Sequence, residues 1–170
     1  MAGIQKIAPF LWFDDQAEEA ARYYVSIFKN AKIGKISRYG EAGKDVHKRP
    51  PGSVLVVEFT LEGQPFMALN GGPQFKFNEA ISLFIGCKDQ AEIDYYWNKL
   101  IQGGDPAAQQ CGWLKDRYGV SWQVAPENFA EILGDPTDPG SQRAMEAMME
   151  MRKIDLAKLE EAKAGAGTTA

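Results

Sequence analysis

The chain has 170 residues and a net charge of -4, so it lacks the basic surface that binding to nucleic acid or to an anionic membrane requires. A chain of this length buries roughly 70% of its unfolded surface and needs no disulfide or metal to stabilise its core. Its two cysteines, Cys87 and Cys111, form no CxxC pair, which argues against a disulfide framework or a zinc site. No signal peptide or membrane-spanning run is apparent, and we expect a cytoplasmic protein with a single domain over residues 1–170.

The first part of the chain is predicted to form a strand, a helix and three further strands. An apolar run at 10–13 precedes Asp15-Gln16-Ala17-Glu18, where Asp15 and Glu18 have the spacing of a capping box that opens a helix. Alternating and apolar runs predict the further strands at 33–39, 53–61 and 64–70. The last two are separated by Glu62-Gly63, which predicts a hairpin, and glycines and prolines predict a loop over 40–52.

The same four residues return as Asp89-Gln90-Ala91-Glu92, and the pattern of elements returns with them. A strand is predicted at 81–85, a helix at 89–101, and a hairpin that joins 111–115 to 120–125. We therefore predict two related modules, over residues 6–73 and 79–126, followed by helices over 127–162. The methionines of the predicted helix at 141–153 favour packing on the sheet or on a partner subunit over an adaptable binding face.

Familiar catalytic motifs are missing from the sequence. The one histidine, His47, falls in the predicted loop, so a histidine-based metal site or a Cys-His nucleophile pair is not indicated. Neither GxxxxGK[ST] nor GxGxxG occurs, which leaves a nucleotide or dinucleotide without its usual phosphate cradle. We therefore expect no cofactor and no metal.

Strand alternation identifies a candidate polar group in the second hairpin. If Gln123 faces the hollow of a curved sheet, Ser121 shares its face, whereas Trp122 and Val124 point to the helix side. A glutamine on an apolar face gives a ligand a polar group to bind. Two further polar residues near strand ends, Lys115 and Asn70, are weaker candidates of the same kind.

Longer motifs resemble the PhnB-like branch of the vicinal oxygen chelate superfamily, whose members often carry the label 3-demethylubiquinone-9 3-methyltransferase. They are Ile7-Ala8-Pro9-Phe10-Leu11-Trp12-Phe13, Phe66-Met67-Ala68-Leu69-Asn70-Gly71-Gly72, Gln110-Cys111-Gly112-Trp113-Leu114-Lys115-Asp116 and Tyr118-Gly119-Val120-Ser121-Trp122-Gln123-Val124. The superfamily includes glyoxalase I, extradiol dioxygenases, and fosfomycin and bleomycin resistance proteins. The resemblance implies an α+β fold in which two βαβββ modules form a cupped mixed sheet, with C-terminal helices, usually in a homodimer.

The resemblance also indicates where the superfamily's metal ligands would fall. They would lie near Ala8 or Pro9, near Met67, between Ala80 and Ser82, and at Gln123. These positions hold weak donors or none, so we expect a metal-independent protein that binds a small molecule. Candidate ligand-binding residues are Leu11, Met67, Asn70, Ser82, Trp113, Lys115 and Gln123. Alternatives are a metal-dependent lyase, isomerase or dioxygenase, the methyltransferase of the family label, and a purely structural dimer module.

Overall fold

The structure, a computed structural model, describes residues 5–165 of an α+β protein. The chain divides into two compact units, with the boundary between Phe77 and Asn78. The elements in chain order are β1 (Phe10–Phe13), α1 (Ala17–Ile27), β2 (Ala31–Arg38), α2 (Lys44–His47), β3 (Val54–Leu61), β4 (Gln64–Asn70), β5 (Leu83–Cys87), α3 (Gln90–Leu100), a 3-10 helix (Pro106–Ala108), β6 (Trp113–Lys115), β7 (Ser121–Pro126), α4 (Phe129–Leu133), α5 (Pro139–Met149) and α6 (Leu156–Ala164). No helix in the described range is long and apolar enough to cross a membrane.

The first unit contains a four-stranded sheet with the order β1-β4-β3-β2, in which β1 runs parallel to β4 and the other pairs are antiparallel. Helix α1 lies on one face of this sheet and buries an apolar stripe made of Ala17, Ala20, Ala21, Tyr24 and Ile27. The predicted hairpin between β3 and β4 is confirmed, because Glu62 and Gly63 both adopt positive φ angles, of 46° and 80°. A two-residue turn of this kind requires that backbone conformation. The predicted loop over 40–52 contains the short helix α2.

The second unit contains a three-stranded sheet with the order β5-β7-β6, in which β5 runs parallel to β7. Helix α3 packs on one face, as α1 does in the first unit. Where the first unit has β2, the second has the 3-10 helix Pro106–Ala108 and an isolated bridge between Gln110 and Trp113. Pro106 has no backbone N–H for a strand ladder, and the Asp105 carboxylate accepts from the Ala107 N–H, so this stretch turns instead of extending.

The two copies of the Asp-Gln-Ala-Glu motif begin their helices in different ways. In the second copy the Asp89 carboxylate accepts from the Glu92 N–H at 2.9 Å, as a helix cap should. In the first copy the predicted capping box is wrong, because the Ala17 N–H donates to Oδ1 of Asn70, at 2.8 Å, and Glu18 binds Arg22. Asn70 is the last residue of β4 and pairs with Phe13, the last residue of β1, in the parallel register. Its amide therefore lies close to the beginning of α1.

The C-terminal helices form a small group that is held together by side chains capping helix ends. Helix α5 packs on α6, and the Arg143 guanidinium donates to the carbonyl oxygens of Ala162 and Lys163 at the end of α6. Asp138 caps the beginning of α5 through the N–H groups of Gly140 and Ser141. The helix predicted at 141–153 is α5, Pro139–Met149, which begins and ends earlier than expected.

Candidate functional site

The second sheet has one face against α3 and one face turned away from it. Ile85, Leu114, Trp122 and Val124 are buried on the α3 side. Gln123 therefore lies on the opposite face, as the alternation along β7 predicted. Six of the residues that share this face carry polar or aromatic side chains, and we call them the Gln123 face: Ser82, Phe84, Trp113, Lys115, Ser121 and Gln123.

The residues of the Gln123 face form two rows across the strands. In one row Trp113 pairs with Gln123, and Gln123 pairs with Phe84, so an amide stands between two aromatic rings. In the other row Lys115 pairs with Ser121. Ser82 directly precedes β5 and extends this second row. Strand pairing thus brings a cation, two hydroxyls, an amide and two rings onto one surface.

A hydrogen bond between two polar side chains joins the two rows. The Gln123 amide nitrogen Nε2 donates to Ser82 Oγ at 2.8 Å. In this bond the amide nitrogen faces Ser82, so the oxygen Oε1 faces away from it. Gln123 and Ser82 are both partly exposed, so the oxygen can accept a hydrogen bond from a ligand.

The charged end of the Gln123 face is the Lys115 ammonium, which forms an ion pair with the Glu79 carboxylate. The hydrogen bond from Lys115 holds the pKa of Glu79 below its ordinary value. Ser121, opposite Lys115, is 2% exposed, and its Oγ has no hydrogen-bond partner within the described part of the chain. A buried hydroxyl without a partner is uncommon in native proteins and calls for an explanation.

Asp116 holds the turn that connects β6 to β7, a role that no pattern in the sequence indicated. Its Oδ1 accepts from the N–H groups of Tyr118 and Val120, at 2.9 and 3.1 Å, and its Oδ2 accepts from the Trp122 indole at 2.8 Å. Gly119, with a φ of 85°, completes the turn. Asp116 is 3% exposed, so its contribution is to fix the hairpin that carries Lys115 and Gln123.

The candidate residues of the first unit lie on two different faces of its sheet. Leu11 and Asn70 are buried on the α1 side, and both oxygen and nitrogen of the Asn70 amide are bonded within the protein, to Ala17 and Val54. Met67 lies on the other face, where it lines a cavity of about 520 Å³ together with Lys32. The first unit therefore does not bring Leu11 and Asn70 together with Met67.

The predicted loop over 40–52 is attached to the first unit by specific bonds. The Arg49 guanidinium donates to the carbonyl oxygen and, at 2.9 Å, to the carboxylate of Asp14. The Arg49 N–H donates to Nδ1 of His47, whose ring lies 4.4 Å from that of Tyr39. The Tyr39 hydroxyl in turn donates to the backbone oxygen of Asn70. His47 therefore has a structural role within its own loop.

The cysteines are poorly suited to nucleophilic catalysis. Burial, helped by nearby carboxylates, raises the pKa of Cys87 to about 12, so this thiol is protonated at neutral pH. Burial also raises the pKa of Cys111, and the Glu150 carboxylate adds to this effect. A thiol must ionise before it can attack, and neither environment favours the thiolate.

The positions that the resemblance assigns to metal ligands do not suit a metal ion. Ala8 has no donor atom, and Met67 has only a thioether. Ser82 and Gln123 have neutral oxygens, whereas divalent cations prefer carboxylates, imidazoles or thiolates. Between residues 5 and 165, no group of three or more His, Cys, Asp or Glu side chains is placed to hold a metal ion.

The sequence profile of the 3-demethylubiquinone-9 3-methyltransferase family matches residues 5–125, most of the chain. The chain belongs to this family. A solved chain from Bacillus cereus, described as a candidate 3-demethylubiquinone-9 3-methyltransferase and PhnB protein, is 40% identical to this family member. The match covers 71% of this chain and 99% of the other, with a TM-score of 0.60. The predicted PhnB-like vicinal oxygen chelate fold is thereby confirmed.

Two further solved structures resemble this family member. A Staphylococcus aureus protein is 33% identical over 74% of this chain and 98% of its own, and its TM-score of 0.32 adds nothing about the fold. A Pseudomonas aeruginosa protein is 19% identical over 72% of this chain and 98% of its own, with a TM-score of 0.55, and this likeness concerns the fold alone. No curated protein sequence matches the chain.

Proposed function

We propose that this family member binds a small molecule at the Gln123 face without a metal ion. The observation that carries the proposal is the bond between Gln123 and Ser82. Both residues occupy positions that the resemblance assigns to metal ligands, and both are neutral groups bonded to each other. A ligand oxygen or N–H can bond directly to such groups, whereas a divalent cation would gain little from them.

The surroundings of Gln123 support a ligand with a flat apolar body. Trp113 and Phe84 lie on either side of Gln123 in the row, and Phe84 is 52% exposed. Binding sites for small molecules are mostly apolar and contain a few polar groups that set the orientation of the ligand. The Gln123 amide supplies that orientation, and the two rings supply the apolar contact.

Ligand-observed NMR with a panel of small aromatic amides and acids, on protein treated with a chelator, tests this proposal. We expect binding that Gln123→Leu weakens by about tenfold, because the variant removes a hydrogen bond and leaves Ser82 without its partner. Gln102→Leu, the same substitution at an exposed glutamine whose amide donates to the Asn98 carbonyl oxygen, is the matched control and should leave binding unchanged. Binding that requires added metal, or that Gln102→Leu weakens as much as Gln123→Leu, would contradict the proposal.

The family description favours methyl transfer as a second candidate function. This function requires that the chain bind a methyl donor, although the sequence contains no dinucleotide-type glycine motif. Calorimetric titration with S-adenosylmethionine decides between the two. Saturable binding at one site per chain supports methyl transfer, and heats equal to those of dilution exclude it.

We further propose that the protein acts as a homodimer in the cytoplasm. The resemblance supports the dimer, and the low cysteine content of the sequence suits a reducing compartment. Light scattering coupled to size-exclusion chromatography measures the mass in solution. A mass of one chain at micromolar concentration would exclude a stable dimer.

A further inference from the structure

We propose that the Gln123 face recognises an oxyanion, the carboxylate of a flat apolar molecule, and that this carboxylate takes the place of Glu79 on Lys115. This inference rests on the proposed function and goes further, because it names the chemical class of the ligand and the residue that holds its charge. Three observations carry it.

The first observation is the unequal exposure of the ion pair between Lys115 and Glu79. The Lys115 side chain is 25% exposed, whereas the Glu79 side chain is 62% exposed. Lys115 belongs to β6 and is held by the sheet, but Glu79 lies in the segment before β5, outside any strand or helix. An ion pair with one partner in water adds little to stability, so another carboxylate can replace Glu79 at a small free-energy cost.

The second observation is the Ser121 hydroxyl, which is buried opposite Lys115 and lacks a hydrogen-bond partner among residues 5–165. Departure of Glu79 from Lys115 would have to uncover this hydroxyl, and a carboxylate, whose two oxygens accept several hydrogen bonds, could then bond to the ammonium and to the hydroxyl together. Glu79 bonds to Lys115 and leaves Ser121 unpaired. A bound oxyanion would satisfy both groups.

The third observation is the distance between the two rows. Residues two apart along a strand are separated by about 7 Å, so the ring row of Trp113 and Phe84 stands about one ring length from the charged row of Lys115. A molecule with its carboxylate at Lys115 would lay an attached ring beside Gln123. The amide oxygen there, oriented by Ser82, remains available to a second polar group of the ligand.

Titrations of the full chain with benzoate and with benzamide, followed through backbone amide shifts in NMR spectra, test the inference. The two probes have the same ring and differ in charge. Lys115→Met should weaken benzoate binding by about tenfold or more and should change benzamide binding less than about twofold. Lys115→Arg should retain most of the benzoate affinity, because it keeps the charge.

Removal of the competing carboxylate gives the sharper result. Glu79→Gln should tighten benzoate binding by about twofold to fivefold, the range expected when a partly exposed ion pair no longer competes. Glu79 is exposed and outside the regular elements, so this variant should fold normally. The control Glu41→Gln removes the same charge from the exposed pair with Lys44 and should leave benzoate binding unchanged.

The possible results separate this inference from the function on which it rests. If benzoate and benzamide bind with equal affinity and both shift amides of the Gln123 face, the binding site is supported, but the preference for an oxyanion is contradicted. If Glu79→Gln leaves the benzoate affinity unchanged, the claim that a ligand carboxylate replaces Glu79 on Lys115 is contradicted. Failure of both probes to shift any amide of this face would overturn the inference and count against the proposed function.

Discussion

The two Asp-Gln-Ala-Glu copies offer a comparison of identical sequences with different roles. Asp89→Ala removes the oxygen that accepts from the Glu92 N–H at 2.9 Å, together with a negative charge at the beginning of α3. Loss of a helix cap costs about 1 kcal/mol, and loss of the charge adds a few tenths, so the free energy of unfolding should fall by about 1 to 2 kcal/mol. Asp15→Ala removes no hydrogen bond to α1 among the described residues and should cost about 0.5 kcal/mol or less.

Asn70→Ala removes the side chain that caps the beginning of α1. The variant leaves the buried Ala17 N–H and the Val54 carbonyl oxygen without their partners. Each unsatisfied group costs about 1 to 3 kcal/mol, so we expect a loss of about 3 kcal/mol. Asn70→Asp keeps an oxygen for the Ala17 N–H and should cost less than Asn70→Ala.

Urea unfolding of the full chain, followed by circular dichroism, measures these differences, provided that the dependence on urea stays the same among the variants. The expected order of destabilisation is Asn70→Ala, then Asp89→Ala, then Asp15→Ala. An Asp15→Ala variant that is destabilised as much as Asp89→Ala would refute the reasoning, because it would mean that Asp15 caps α1.

Three further predictions concern the second unit. Asp116→Ala should lower the free energy of unfolding by about 3 kcal/mol or more in urea titrations, since it removes the acceptor of three hydrogen bonds, from the Trp122 indole and from two backbone N–H groups, and a loss below about 1 kcal/mol would contradict this. Because burial raises the pKa of Cys87, this thiol ionises at a lower pH in the unfolded chain than in the folded protein, so the free energy of unfolding should fall as pH rises from about 8.5 toward about 12. The urea midpoint of Cys87→Ala should decline less steeply over this range than that of the unchanged protein. An equally steep decline in both would be contrary evidence. Ser82→Ala should weaken aromatic amide binding in NMR titrations, because Gln123 loses the bond that orients it, and unchanged binding would show that the orientation is irrelevant.

Much of the fold could be predicted because it depends on local patterns. The alternation along β7 gave the correct sides for Trp122 and Val124, and Glu62-Gly63 gave the hairpin that the positive φ angles show. The cap of α1 could not be predicted in this way. It comes from Asn70, which is 53 positions from Ala17 and reaches it only because β1 and β4 pair in parallel.

The candidate site could be predicted only in part for the same reason. Gln123 was identified from alternation and from the resemblance, but its bond to Ser82 spans 41 positions and depends on the β5–β7 register. Glu79 lies in a segment without periodicity, so no pattern indicated that it would pair with Lys115. The Asp116 interactions were missed because a turn aspartate and a strand tryptophan have no characteristic spacing.

Native mass spectrometry of the protein, purified without a chelator, tests the central claim most directly. We expect the mass of a dimer without a bound divalent ion, with or without a small organic molecule on each chain. A stoichiometric, tightly held divalent ion on each chain would contradict metal-independent binding. That result would direct attention to the carboxylates as ligands and to the metal-dependent lyase, isomerase or dioxygenase alternatives.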